Sequence, residues 1–195
     1  MPRGRMTLAS HSHREIERLS TPVAPPISLA SVHAFDDLDV LLDAYHGKRS
    51  KYAFYRRFGH ENGRQLEETM AALEGAEDAL ACSSGMSAVL TIYQTLLGSG
   101  GRVVASRDLY GGTYAYLRTH APRHGVGVEF ADLDVLDRKI VKGVDVVAIE
   151  TISNPLVRVP DFARIAKACR KAGALLVVDN TFATPFLCRP LEWGA

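Results

Sequence analysis

Cysteine is scarce: three in 195 residues, Cys82, Cys169 and Cys188, an odd number without metal-like spacing. That excludes a disulfide-stapled scaffold and suits a reducing cytoplasm. An excess of one charge is also missing. Lys plus Arg number 23 and Asp plus Glu 22, a net charge of +1, so nothing electrostatic favours nucleic acid or an anionic membrane as a partner. No run approaches the roughly 18 apolar residues that a membrane span needs. The opening stretch MPRGRMTLASHSHREIERLS lacks the apolar centre of a secretory signal. There is no internal repeat or low-complexity segment. No Gly-x-Gly-x-x-Gly follows a strand pattern, which disfavours a Rossmann-type nicotinamide enzyme.

What is present fits a globular α/β protein. Apolar residues make up 47% and charged residues 23%, and the length suits one large domain or two small ones. Residues 1–63 read as an irregular arm that needs another surface to lie on, rich in proline at Pro22, Pro25 and Pro26. Asp36 to Tyr45 is the exception, a short amphipathic helix with acids in its first turn. A basic, aromatic stretch follows, with an Asn62-Gly63 turn signal.

From residue 64 the pattern is regular. Leu66, Met70 and Leu73 mark a helix closed by Gly75. Strands are expected at 79–82, 102–106, 126–130, 144–149 and 174–178, and helices from Met86 to near Gly98, from Tyr114 to Arg118, and after Asp161. That last helix has an Asp cap, an inner stripe of Phe162, Ile165, Ala166 and Cys169, and a closing Gly173. Alternating strands and helices imply crossovers and a mostly parallel sheet.

In such sheets ligands bind beyond the carboxyl ends of the strands. Ser83-Ser84-Gly85 opens a helix there, either as a phosphate cradle or as a plain cap and tight turn. Tyr110 stands beside Gly111-Gly112, able to stack on a planar ligand or to sit as a surface tyrosine. Glu150 and Asn154 follow another strand as ligand contacts or loop hydrogen-bonders. Asp179 ends a strand expected to be buried. Its carboxylate needs a partner there, either a protonated ring nitrogen or the N–H groups of the 180–184 turn. Together these features suit a flat, anionic, nitrogen-containing cofactor, pyridoxal phosphate.

The sequence resembles the cystathionine synthase/lyase family of cysteine and methionine metabolism from about Thr21 to Ala195. The resemblance rests on APPISLAS (24–31), Tyr55-Arg56-Arg57, LEE (66–68), LEGAEDALACSSGMSAV (73–89), YGGT (110–113), ETISNP (150–155) and the run from Val178 to Ala195. It implies the large domain of the aspartate-aminotransferase fold type (PLP fold type I), first part only, at 64–195, and an arm at 1–63 that contacts a neighbouring subunit. It implies that Tyr55 and Arg57 reach the cofactor phosphate of that subunit, and that Gly85 and Met86 donate backbone N–H groups to the same phosphate. Tyr110 would stack on the pyridine and take part in catalysis. Asn154 would sit near the phenolic oxygen, Asp179 would pair with the ring nitrogen, and Thr181 would belong to the cofactor wall. The implied activity is elimination or replacement at the β or γ carbon of sulfur amino acids, in a cytoplasmic homodimer or homotetramer with shared sites.

The sequence departs from the family in two places. His60-Glu61-Asn62 stands where the family commonly has Asn-Pro-Thr, which puts that loop's contacts in doubt. The family's Schiff-base lysine lies in a Ser-x-Thr-Lys motif expected near position 204, and none of Lys48, Lys51, Lys139, Lys142, Lys167 or Lys171 lies in such a motif. The expectation is therefore the N-terminal half of an enzyme, inactive alone. The alternative is a non-catalytic fragment that binds cofactor weakly or associates with other chains. The family's methionine lyases usually carry cysteine where Gly112 stands, which argues against that activity.

Overall fold

The computed structural model describes residues 23–46 and 54–195, which divide into two units, residues 1–62 and 63–195. Lys48 and Lys51 lie outside the described residues.

The second unit is built on four parallel strands, β1 (Arg102–Ser106), β2 (Gly127–Ala131), β3 (Val146–Glu150) and β4 (Leu175–Asp179), in the order β2-β1-β3-β4. The β-branched run Val144–Ile149 predicts a strand covered on both faces, and β3 is buried at all five positions. Val103, Val104, Val146 and Val147 are almost fully buried. Each contributes about 1.5–3 kcal/mol by leaving water.

Helices cover both faces. The first helix of this region, α2 (Glu61–Glu74), begins earlier than the pattern from residue 64 suggests, and Asn62-Gly63 lies in its first turn rather than in a loop. Gly63 has no left-handed φ, and the Asn62 side chain is committed to the arm's backbone, donating to the Pro26 carbonyl and accepting from the Ser28 N–H, both at 2.8 Å. Helix α3 (Gly85–Leu96) is capped by Ser84, whose hydroxyl accepts the Ser87 N–H at 3.1 Å. The short helix α4 (Gly111–Ala115) starts three residues before the expected Tyr114, continues as a wider turn to His120 and closes at Gly125. Helix α5 spans Leu136–Lys139. Helix α6 (Phe162–Ala172) follows its expected cap, stripe and stop: Asp161 accepts the Arg164 N–H at 3.0 Å, and Gly173 has φ +75°. Its buried face packs into a cluster with Val104, Leu136, Val147 and Ile149. Helix α7 spans Thr184–Leu187.

Two strand expectations fail. Residues 79–82 form no strand. A strand needs a ladder, and here the Ala79 and Ala81 N–H groups go to the Asp78 and Glu67 carboxylates instead. The strand at 174–178 is present one residue later but is not buried throughout. As β4 it is the edge of the described sheet, with Leu175 exposed and only Leu176 buried.

The first unit is held by local bonds. Helix α1 (Leu38–Tyr45) is capped by Asp37 rather than starting at Asp36, with Asp39 N–H donating to its carboxylate at 2.7 Å. Val32 and Tyr55 form an antiparallel bridge, and Phe54 and Phe58 stack at 4.9 Å between ring centres. Among the described residues no helix is long and apolar enough to cross a membrane.

Candidate active site at the carboxyl edge of the sheet

A cavity of about 200 Å³ lies between α3 and the carboxyl ends of β3 and β4. Of the candidate residues singled out from sequence, Gly85, Glu150, Asp179 and Thr181 line it. Gly85 is the first residue of α3, where backbone N–H groups lack partners within the helix, and an added Cβ there would meet nothing within 4 Å. Space and donors therefore suit an anionic group at this end.

Asp179 is the last residue of β4. Its Oδ1 accepts both the Thr181 N–H, at 3.0 Å, and the Thr181 hydroxyl. The turn alternative raised by the sequence is thus present, yet it occupies one carboxylate oxygen. Across the ladder Asp179 is in register with Glu150, the last residue of β3. Glu150 is 8% exposed, and its carboxylate accepts the Tyr110 N–H. Burial pushes the Glu150 carboxyl above its ordinary value. The Asp179 and Asp108 charges add to that, and the Tyr110 N–H opposes it. Among the described residues neither Glu150 nor Asp179 has an ion-pair partner.

Tyr110 does not line the cavity wall itself. It precedes α4, and its side chain is 58% exposed. Met86 and Gly112 lie beside it. A Cβ at Gly112 would come within 2.6 Å of the Tyr110 ring and 2.7 Å of the Met86 sulfur. A cysteine there would displace one or both. Asn154, at a cis peptide with Pro155, is exposed and not on the cavity. Tyr55 and Arg57 belong to the first unit, both exposed, with the Arg57 guanidinium 5.2 Å from the Tyr55 ring centre.

Two cavity residues escaped the sequence reading. Tyr93 is 3% exposed and looked like ordinary helix stripe. Burial raises its phenol above the ordinary range, with the Asp179, Tyr116 and Glu150 charges adding to the shift. Thr113 is 5% exposed, and its hydroxyl oxygen has no hydrogen-bond partner. The YGGT motif marked its position but not its burial. An unpartnered buried hydroxyl on a cavity wall is costly unless a ligand meets it.

A second polar group stands on the same edge. Arg158 donates to Asp108 at 2.9 Å and to Asp132 at 2.9 and 3.1 Å, and lies 3.1 Å from Asp134. It ties together the segments that follow β1, β2 and β3. The Asp132 carboxyl is held down to about 2, first by its hydrogen bond from Arg158 and then by the Asp134 N–H.

A parallel sheet with a cavity at its carboxyl edge, apolar along its walls with a few polar groups at its mouth, is an α/β fold, here of PLP fold type I. The chain belongs to the Cys/Met metabolism PLP-dependent enzyme family, whose pattern it matches over residues 6–195. It is 35% identical to L-methionine gamma-lyase of Pseudomonas putida over 200 residues, covering 98% of this chain and 49% of that protein. It is 41% identical to cystathionine gamma-synthase/O-acetylhomoserine (thiol)-lyase of Bacillus subtilis over 144 residues, covering 72% and 38%. An O-acetylhomoserine (thiol)-lyase structure from Campylobacter jejuni, which carries a pyridoxyl-lysine monophosphate, superposes with a TM-score of 0.80 at 26% identity, over 89% of this chain and 44% of that one. The chain spans about half or less of the length of these relatives. The family's cofactor is pyridoxal phosphate.

Proposed function

We propose that this chain forms the cofactor half of an enzyme that eliminates or replaces a substituent at the β or γ carbon of sulfur amino acids, in the manner of the cystathionine synthases and lyases. The observation that carries this is the cavity. Two carboxylates without a cation among the described residues, Glu150 and Asp179, meet an unpartnered Thr113 hydroxyl and the open start of α3 there. A flat ligand with a cationic ring nitrogen and a phosphate answers all of these groups.

When bound, pyridoxal phosphate supplies an electron sink for bond breaking at the substrate's α carbon. Asp179 holds the proton on the ring nitrogen. Thr181 orients the Asp179 carboxylate, and the backbone N–H groups of Gly85 and Met86 receive the phosphate. Tyr110 covers the ring face and Asn154 approaches from the loop after β3. Tyr55 and Arg57 act on the phosphate of a neighbouring subunit, Arg as a charge-assisted fork, so the enzyme works as a cytoplasmic homodimer or homotetramer. A cysteine at Gly112 would have to displace the Tyr110 ring or the Met86 sulfur, which favours cystathionine or an acyl-homoserine over methionine as substrate.

A second reading is a non-catalytic chain that binds cofactor weakly or associates with other chains. It is favoured by the lysines: none of the four described ones lines the cavity, and Lys139 is engaged with Glu129 at 2.7 Å. The test is to supply the full-length protein with pyridoxal phosphate and cystathionine, or with pyridoxal phosphate, an acyl-homoserine and a thiol. Release of a keto acid or formation of a thioether supports the enzyme. Cofactor binding without either product supports the second reading.

A further inference from the structure

We propose that Glu150 is a positioning residue: its buried carboxylate fixes the Tyr110 backbone, and through it the ring that covers a pyridine ligand. This rests on the reading of the cavity as a pyridoxal phosphate site. The Tyr110 ring is 58% exposed, so packing does not hold it in place. Its backbone does. The N–H goes to Glu150, and the carbonyl accepts the Tyr114 N–H at 2.9 Å. One bond belongs to α4, and the other ties the residue to the end of the central strand β3. Gly112 admits the ring so closely that a Cβ there would touch it. A small slip of the Tyr110 backbone therefore moves the ring against Met86 or away from the cavity.

Glu150 is an odd choice if it only fills space. It is 8% exposed and in register with Asp179 on β4. The groups whose charges it meets are Asp179, Asp108 after β1 and Tyr93 on α3, with no cation among them. A buried carboxylate beside two others costs stability. The hydrogen bond from the Tyr110 N–H compensates. A carboxylate acceptor makes a stronger bond to an N–H than a neutral one does.

Two nearly isosteric variants separate reach from charge. Glu150→Asp keeps the charge and withdraws the acceptor by one methylene. Glu150→Gln keeps the acceptor oxygen in reach and removes the charge. Two readouts apply to the 195-residue chain: hydrogen exchange of the Tyr110 amide, which needs no ligand, and the Kd for pyridoxine 5′-phosphate, which has no aldehyde and needs no lysine. We expect Glu150→Gln to keep the Tyr110 amide protected and the affinity within about twofold. Glu150→Asp should expose the amide and weaken binding about tenfold, the scale of one charge-assisted hydrogen bond. Wild-type exchange and affinity in Glu150→Asp would overturn the proposal. So would a loss in Glu150→Gln as large as in Glu150→Asp, because charge and not reach would then govern. If the wild-type chain binds no pyridoxine 5′-phosphate, the cofactor reading falls and takes the ligand half with it. The exchange comparison still decides whether Glu150 fixes Tyr110.

Discussion

Two groups of carboxylates stand on the carboxyl edge of one sheet and are treated in opposite ways. Asp108, Asp132 and Asp134 converge on the Arg158 guanidinium. Glu150 and Asp179, one register pair on β3 and β4, share no cation among the described residues. Each carboxylate of the first group has a cation within 3.1 Å, and the group joins the segments that follow three strands. The second leaves negative charge on a cavity wall, next to a hydroxyl without a partner. Charge that a fold has not neutralised marks where a ligand is expected to do so. The contrast thus separates a clamp from a site without appeal to any motif.

The strongest way to break the contrast is to remove the site's acid. Asp179→Ala in the complete enzyme takes away the carboxylate assigned to the ring nitrogen. Turnover on a sulfur amino acid is expected to fall about a hundredfold, equivalent to about 2.7 kcal/mol at the transition state. Near-normal turnover in a steady-state assay would remove Asp179 from the mechanism. Next in size is Arg158→Ala, which strips the shared cation from the ion-paired group. Asp108, with its side chain 15% exposed, and its two partners then repel one another. The melting temperature should fall clearly by calorimetry, while affinity for pyridoxine 5′-phosphate changes little. A loss of affinity as large as the loss of stability would merge the two groups into one.

Much of this was legible from sequence where the signals are local. Asp161, the stripe from Phe162 to Cys169 and Gly173 lie within one helix, and each acts on its neighbours along the chain. The apolar run of β3 likewise carries its own burial. The apolarity of 79–82 suggests a strand, but apolarity does not encode pairing, and the carboxylates of Asp78 and Glu67 accept the Ala79 and Ala81 N–H groups instead. The edge position of β4 depends on the strand order, which no local pattern encodes. The site divides the same way. The motifs brought Gly85, Asp179 and Thr181 to notice, and all three line the cavity. Tyr93 looked like core because the helix stripe that buries it also faces the cavity. Asn154 looked equivalent to Glu150 at a strand end, yet one is exposed in a loop and the other is the buried last residue of β3.

Acid sharpens the contrast further. The Asp132 carboxyl is held to about 2 in the folded chain, against an ordinary value of 3.8. The folded state then binds fewer protons than the unfolded one between these values, so the clamp's stability is fully present above about pH 4 and lost as pH falls through about 2. Thermal melts across that range should show an acid limb that is flatter in Arg158→Ala. An unchanged limb would mean that the clamp does not hold Asp132.

The smallest effect has the opposite sign and comes from Glu150→Gln. Burial, with Asp179 and Asp108 nearby, raises the Glu150 carboxyl above its ordinary 4.5. The folded state therefore takes up this proton at a higher pH than the unfolded state does. Glu150 costs no charge burial below its ordinary value and imposes its full cost above its raised folded value, so its contribution to stability declines as pH rises through that window. Glutamine keeps an acceptor for the Tyr110 N–H and removes the charge. The variant should melt higher than wild type near neutral pH. That gap should close as pH falls into the ordinary carboxylate range. The same pH series run on both variants gives curves that bend in opposite directions, one for each group of carboxylates. If Glu150→Gln were instead less stable at neutral pH, the Glu150 charge would be a net stabiliser of the fold, and the distinction between clamp and site would fail.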